Sequence, residues 1–238
     1  VRTTLAQLLL AANSYVAPEK RDDTRRRVAG HLWALAQNAA PGSDSQLQFV
    51  TAFAAAACTD EQWAAVKSLR DGDVVRKGLL VSLAAGGVAS IGDIETALAA
   101  DNTAKGGEFA AQARAALPFP EAKRAAWASL VDRDDLPNTV VRSASLGFVN
   151  PAGRDLLADY VQPYFDMLLP VWESRTYKIA EYLISGLYPA PLADVALRDA
   201  TRAWLADHAD APAALRRMVQ ENLAGVERAL AVQERDAQ

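Results

Sequence analysis

Apolar residues recur at helical spacing from one end of the chain to the other. Leu5, Leu8, Leu9, Ala12 and Val16 fall at i, i+3, i+4, i+7 and i+11, one face of a helix. Val28, Leu32, Leu35 and Ala39 predict a second helix, with Arg25, Arg26 and Arg27 largely on its wet side. Asp44 or Ser45 stands where a cap would open a third, carrying Leu47, Val50 and Phe53. Thr59 with Gln62 makes a capping-box pattern at the head of TDEQWAAVKSLRDG, and Gly72 is placed to close it.

The pattern continues in DVVRKGLLVSLAAGG, DIETALAA, GEFAAQARAAL and EAKRAAWASLV, each beside a proline or glycine. From Asp155 to Trp172 the spacing is helical, but Pro163 and Pro170 should break or kink it. YKIAEYLISGL, LADVALRDATRAWLADH and ALRRMVQENLAGVERALAVQ complete about a dozen helices, with no convincing strand. Many are near or below the ~12–15 residues at which an isolated helix is marginal, so neighbours must hold them. Short helices joined by tight turns predict an all-α fold. The expected form is a right-handed α-α superhelix, a HEAT-like solenoid of stacked antiparallel pairs in one domain over 1–238. Trp33, Trp63, Trp127, Trp172 and Trp204 keep no fixed period, so this reading rests on helix length and turn spacing.

Composition narrows the function. The net charge is −4 with a pI near 5.3, without the concentrated basic face that nucleic acid demands. The most basic run, Glu19 to Arg27, mixes three acids with five bases and reads as a solvated helix face. The single cysteine, Cys58, sits in the apolar run FVTAFAAAAC and suits a reducing cytoplasm as a buried, inert thiol. That run is well short of the ~20 residues of a membrane span. The chain opens on Val1 rather than Met, as a fragment or processed chain would.

Catalytic constellations are missing. Only His31 and His208 exist, neither in a His-Glu-x-x-His helix. No Gly-x-Ser-x-Gly elbow occurs, and AAGGVASIGD lacks the Lys-Ser/Thr of a phosphate loop. VDRDDLPN fails calcium-loop spacing and reads as a turn in which Asp135 or Asn138 caps a helix. In DNTAKGGEFAAQARAALP, Asp101 and Thr103 are capping residues, while Gly106 and Gly107 let a neighbouring backbone come close. Phe109, Ala113 and Ala116 or Leu117 would face inward, and Pro118 and Pro120 would stop that helix. No catalytic and no metal-ligating residue is assigned.

Six ordered motifs carry a resemblance. Asp101-x-Thr103-x-x-Gly106 is followed by Lys123-x-x-x-Trp127, Gly147-Phe148 and Tyr160-x-x-x-Tyr164-Phe165. Trp172-x-x-Arg175 and Leu187-Tyr188-Pro189 complete the set. Together they resemble the C-terminal helical domain of the aminopeptidase N family, zinc-dependent gluzincin peptidases, in its bacterial form. Arginine outnumbers lysine 19 to 6, which suits a high-GC bacterium. Lys77 departs from the family, which tends to place Trp after the Arg of DVVR.

The resemblance implies that zinc and the residues that act on peptides lie in a separate catalytic domain, absent here. This chain would then be a concave lid that encloses the peptide chamber and does no hydrolysis alone. It also implies a fragment lacking the domain's first helices, so Leu5, Leu8, Leu9 and Val16 would lose packing partners and favour self-association. The chamber-facing candidates are Tyr164, Trp172, Arg175 and Tyr177. Helical spacing alone would put Tyr164 and Trp172 in the core, and Arg175 could cap its helix or pair with Glu173 or Glu181. The implied partners are the parent's catalytic domain and peptides, in the cytoplasm, with neither membrane nor nucleic acid. A HEAT-like scaffold that binds a protein partner on its concave face is the alternative.

Overall fold

The computed structural model describes residues 1–71 and 76–238. Gly72 and the packing around Lys77, both singled out above, lie outside the described residues. Helix α1 (Arg2–Leu10) runs into a wide π-type turn (Ala11–Tyr15) and a 3₁₀ turn (Pro18–Lys20). Then follow α2 (Arg21–Asn38), α3 (Asp44–Ala56), α4 (Asp60–Asp71), α5 (Arg76–Ala85) and α6 (Ile91–Ala100). Next come α7 (Ala104–Ala116), α8 (Pro120–Val131), α9 (Asn138–Phe148) and a 3₁₀ segment (Pro151–Tyr160). α10 (Val161–Ser174), α11 (Tyr177–Gly186), α12 (Val195–Asp207) and α13 (Ala213–Asp236) finish the chain, with no strand among the described residues.

The helices form two layers. α3, α5, α7, α9, α11 and α13 each pack on the next, while α2, α4, α6, α8, α10 and α12 cover them from outside. α1 lies on α3, and the π-type turn lies on α13, so the superhelix closes on itself. Polar contacts pin this seam. Gln233 Nε2 donates to Ser14 O at 2.7 Å and Ala193 O at 3.3 Å, and Ala17 N donates to Asp236 Oδ2 at 2.9 Å. Lys20 Nζ donates to the Asp236 carbonyl.

Two apolar cores meet at α7: one holds Leu32, Phe53, Leu83 and Ile94, the other Phe148, Tyr164, Leu183 and Leu215. Glycine makes the junction tight. A Cβ on Gly147 of α9 would sit 2.1 Å from the Gln112 carbonyl oxygen of α7, so any side chain there would force the helices apart. Lys123 of α8 is fully buried at the same junction. Its Nζ donates to Ala115 O at 2.7 Å and Phe148 O at 2.8 Å, satisfying carbonyls at the C-terminal ends of α7 and α9. Trp127, Phe148 and Tyr160 cluster beside it as tilted and edge-on rings, with centroids 4.9–5.7 Å apart.

Several local expectations shift. The stripe from Leu5 to Val16 is interrupted, because the π-type turn slips the phase and Val16 is extended at φ −77° and ψ 138°. α1 buries no residue. On α2 the buried face is Ala29, Leu32 and Ala36, leaving Leu35 47% exposed. Ser43, one residue earlier than expected, caps α3 by accepting from Gln46 N. α9 has no side-chain cap, and Asp135 pairs with Arg133 instead. The chain changes helix type at Tyr160, while Pro163 fits in the first turn of α10, where no intrahelical N–H is needed. Pro170 is accommodated inside α10, whose Ser174 Oγ donates to Pro170 O at 2.7 Å.

The DNTAKGG stretch leads from the end of α6 into α7. Thr103 caps α7, its Oγ accepting from Gly106 N at 3.1 Å and donating to Asp101 Oδ1 at 3.0 Å. A Cβ on Gly106 would fall 2.0 Å from Asp101 O, whereas Gly107 has open space around it. It is a corner between helices.

Candidate functional site

The inner helices and the segments after α9 and α11 line an open hollow of about 570 Å³. α1 and the turn after it contribute Leu9, Asn13 and Ser14; α3 adds Thr51 and Ala55; α5 adds Ser82; α7 adds Phe109 and Gln112. The segments after α9 and α11 close it with Asn150 to Ala152 and with Ala190 and Pro191. None of the described lining residues carries a formal charge. Small side chains follow from the alanine-rich inner helices, which can approach one another yet leave room in the middle. The hollow continues into a groove of about 650 Å³ between α1 and α3, the two sharing Leu9, Thr51 and Ala55. Among the described residues the hollow offers scattered amide and hydroxyl groups that can accommodate a peptide backbone, and the groove adds Arg2 and Asp44.

The four sequence candidates lie elsewhere, and none lines the hollow. Tyr164 is fully buried; its hydroxyl donates to Ile184 O at 2.7 Å and accepts from Asn222 Nδ2 at 3.2 Å. Burial raises its pKa well above the usual phenol range. Tyr164 is therefore a core residue in this structure, because the hydroxyl has an acceptor inside and its ring is edge-on to Tyr188 at 5.3 Å. Trp172 is half-buried and edge-on to Tyr177, which is 54% exposed. Arg175 pairs with neither Glu173 nor Glu181; its Nη2 reaches back to Val131 O at the end of α8, at 2.8 Å. What sequence reasoning missed are Asn13, Ser14, Ser82, Gln112 and Asn150 on the hollow. Isolated polar residues in alanine-rich helices and in the turns beside them carry no recognisable signature.

The zinc implied by the resemblance finds no fitting set of donors among the described residues. His31 is exposed on α2, whereas His208 ends α12 with its ring stacked on Trp204 at 4.6 Å and Nδ1 2.9 Å from Trp204 O. Among the described residues no three His, Cys, Asp or Glu side chains gather as a metal-holding group. Cys58 is half-buried, its thiol 3.6 Å from Gln62 Oε1, and burial raises its pKa. Among the described residues no helix is long and apolar enough to cross a membrane.

The sequence motifs instead mark packing: a cap at Thr103, a buried ammonium at Lys123, a close crossing at Gly147 and a tyrosine pair at Tyr164 and Tyr188. Comparison with known proteins agrees with such an architectural signature. The model of a family described as the ERAP1-like C-terminal domain matches residues 1–228. Over 247 aligned positions the chain is 40% identical to Aminopeptidase N of Streptomyces lividans, an alignment covering 100% of this chain and 29% of that relative. The chain thus spans under a third of the length of the relative it matches. By its helical superhelix and by these matches, the chain belongs to the ERAP1-like C-terminal domain family and corresponds to the C-terminal part of an aminopeptidase N-like protein.

Proposed function

We propose that this chain is the non-catalytic C-terminal domain of a zinc-dependent bacterial aminopeptidase, and that its ring encloses part of the peptide chamber and limits access to it. Zinc and the reacting groups belong, in this reading, to a catalytic domain that docks against the ring. The hollow, uncharged in its described lining, carries the proposal: it suits a peptide of varied sequence that must be admitted and confined without being gripped by charge. The cytoplasm is the assigned compartment, in keeping with a lone thiol and no disulfide partner in the sequence.

The test uses the full-length protein. Thr51→Trp and Ser82→Trp fill the hollow. Hydrolysis of a single-residue aminoacyl reporter should be unchanged, while that of a longer peptide should fall by about tenfold, equivalent to ~1.4 kcal/mol of lost binding. Equal losses on both substrates would reject the chamber role. Reading upstream of the Val1 codon separates this function from a free-standing scaffold: the proposal requires a His-Glu-x-x-His segment in frame. The isolated chain with added zinc should show no turnover of the reporter.

Self-association of the isolated chain belongs to the same reading. α1 buries no residue, and Leu8 and Leu10 are 39% and 48% exposed beside the groove against α3. Light scattering should show a mass that rises with concentration. A monomer throughout would remove this part of the proposal.

A further inference from the structure

The run Glu19 to Arg27 has the composition of a solvated face, yet part of it is interior. Arg21 is only 9% exposed, and Arg25 is half-buried. Four residues apart on α2, they lie on one side of the helix. Arg154, from the 3₁₀ segment before α10, meets them across the seam. Its Nη2 donates to Asn13 O at 2.9 Å, while Arg21 Nη2 points at Val16 O at 3.4 Å, three residues along the same turn.

Two guanidinium groups thus reach one turn of backbone, Arg25 lies near enough to repel both, and each of the three keeps a buried nitrogen without an acceptor among the described residues. These are Arg21 Nε, Arg25 Nε and Arg154 Nη1. None of the three arginines forms an ion pair among the described residues. The nearby acids, Glu19, Asp22 and Asp155, are all exposed and act only at a distance. Arg154 feels both Arg21 and Arg25; burial first, and then that repulsion, pull its pKa down to about 10. Unpartnered buried donors of like charge are among the costliest features a protein interior can hold.

We propose that this seam binds a small inorganic anion, of the phosphate or chloride kind, held by Arg21, Arg25 and Arg154. One anion would accept from all three guanidinium groups and replace their mutual repulsion with charge-assisted hydrogen bonds. The half-buried Arg25 and Arg154 have room to swing over it, whereas the depth of Arg21 excludes a bulky ligand. Binding would tie α2 to the 3₁₀ segment, where the two ends of the superhelix meet, so the anion acts as a removable fastener of the ring. This site does not depend on the chamber proposal.

Thermal unfolding of the 238-residue chain in potassium gluconate, titrated with phosphate or with chloride at fixed ionic strength, reads the site. A saturable rise of roughly 3–6 °C at about ten times the dissociation constant is expected for whichever anion fits. Arg25 makes no hydrogen bond among the described residues, so Arg25→Gln keeps the test sound even where Arg154→Gln fails to fold. Arg25→Gln should abolish the saturable rise and, in gluconate alone, melt at or above the wild-type temperature because repulsion is relieved. A rise that is linear and equal in wild type and Arg25→Gln is a general salt effect and overturns the proposal. So does the absence of any rise with both anions.

Discussion

Replacing Lys123 with methionine isolates what a buried ammonium does at the junction of the two cores. Methionine fills nearly the same space but leaves Ala115 O and Phe148 O without their donor. Each orphaned carbonyl costs about 1–3 kcal/mol, so the loss is roughly 2–6 kcal/mol. Against this stands the cost of keeping a charge away from water. Burial pushes the Lys123 pKa from 10.5 down to about 8. Below that value the lysine is charged in both states, and folding carries the full penalty of about 3 kcal/mol. Between pH 8 and 10.5 the unfolded chain binds the extra proton, so wild-type stability rises with pH across that window. At about pH 9.5 the remaining penalty is about 1 kcal/mol. The methionine variant lacks this titration. It should therefore be close to wild type at about pH 7, and the gap should widen by about 2 kcal/mol at about pH 9.5. The helix-end carbonyls and the Phe148 ring, 5.3 Å from Nζ, favour the charged form, so 2 kcal/mol is the upper end. Urea unfolding of both proteins at the two pH values measures the gap. A gap that is constant, or that narrows as pH rises, would refute the argument.

Three further outcomes follow from the packing. Gly147→Ala should destabilise by about 3 kcal/mol or more through its clash with Gln112 O, while Gly107→Ala, with open space around it, should stabilise by about 0.5–1 kcal/mol; matched urea midpoints compare them. Tyr164→Phe removes the bond to Ile184 O and should cost about 1–3 kcal/mol without changing the response to phosphate or chloride, as chemical denaturation in each salt would show. Gln233→Ala releases Ser14 O and Ala193 O at the seam, so limited proteolysis should cut the first 20 residues markedly sooner than in wild type; unchanged cleavage would mean apolar packing alone holds the ring shut.

The motifs that carried the resemblance are packing devices, which explains why they were legible. Thr103 as cap and Gly106 as a point of close backbone approach require only local rules, and both were read from residue type and spacing. Trp172-x-x-Arg175 and Tyr160-x-x-x-Tyr164-Phe165 look like a cluster of functional side chains. Yet the hydroxyl of Tyr164 finds an acceptor on α11, and Arg175 finds one on α8. A partner 20 or 44 residues away is invisible to periodicity.

The sequence by itself determined that this chain is all helix, where most turns fall, and which family it belongs to. Those properties depend on neighbours within a few residues: 3.6-residue periodicity, caps, prolines and glycines. Only the tertiary structure decided that the last turn of α13 meets the first turns of the chain, that no described residue lining the hollow is charged, and that Arg21 lies inside rather than in water. Each is a meeting of segments far apart in sequence, 219 residues apart where Gln233 holds Ser14. A helix face carries no label saying which other face will cover it; packing against every other element settles that.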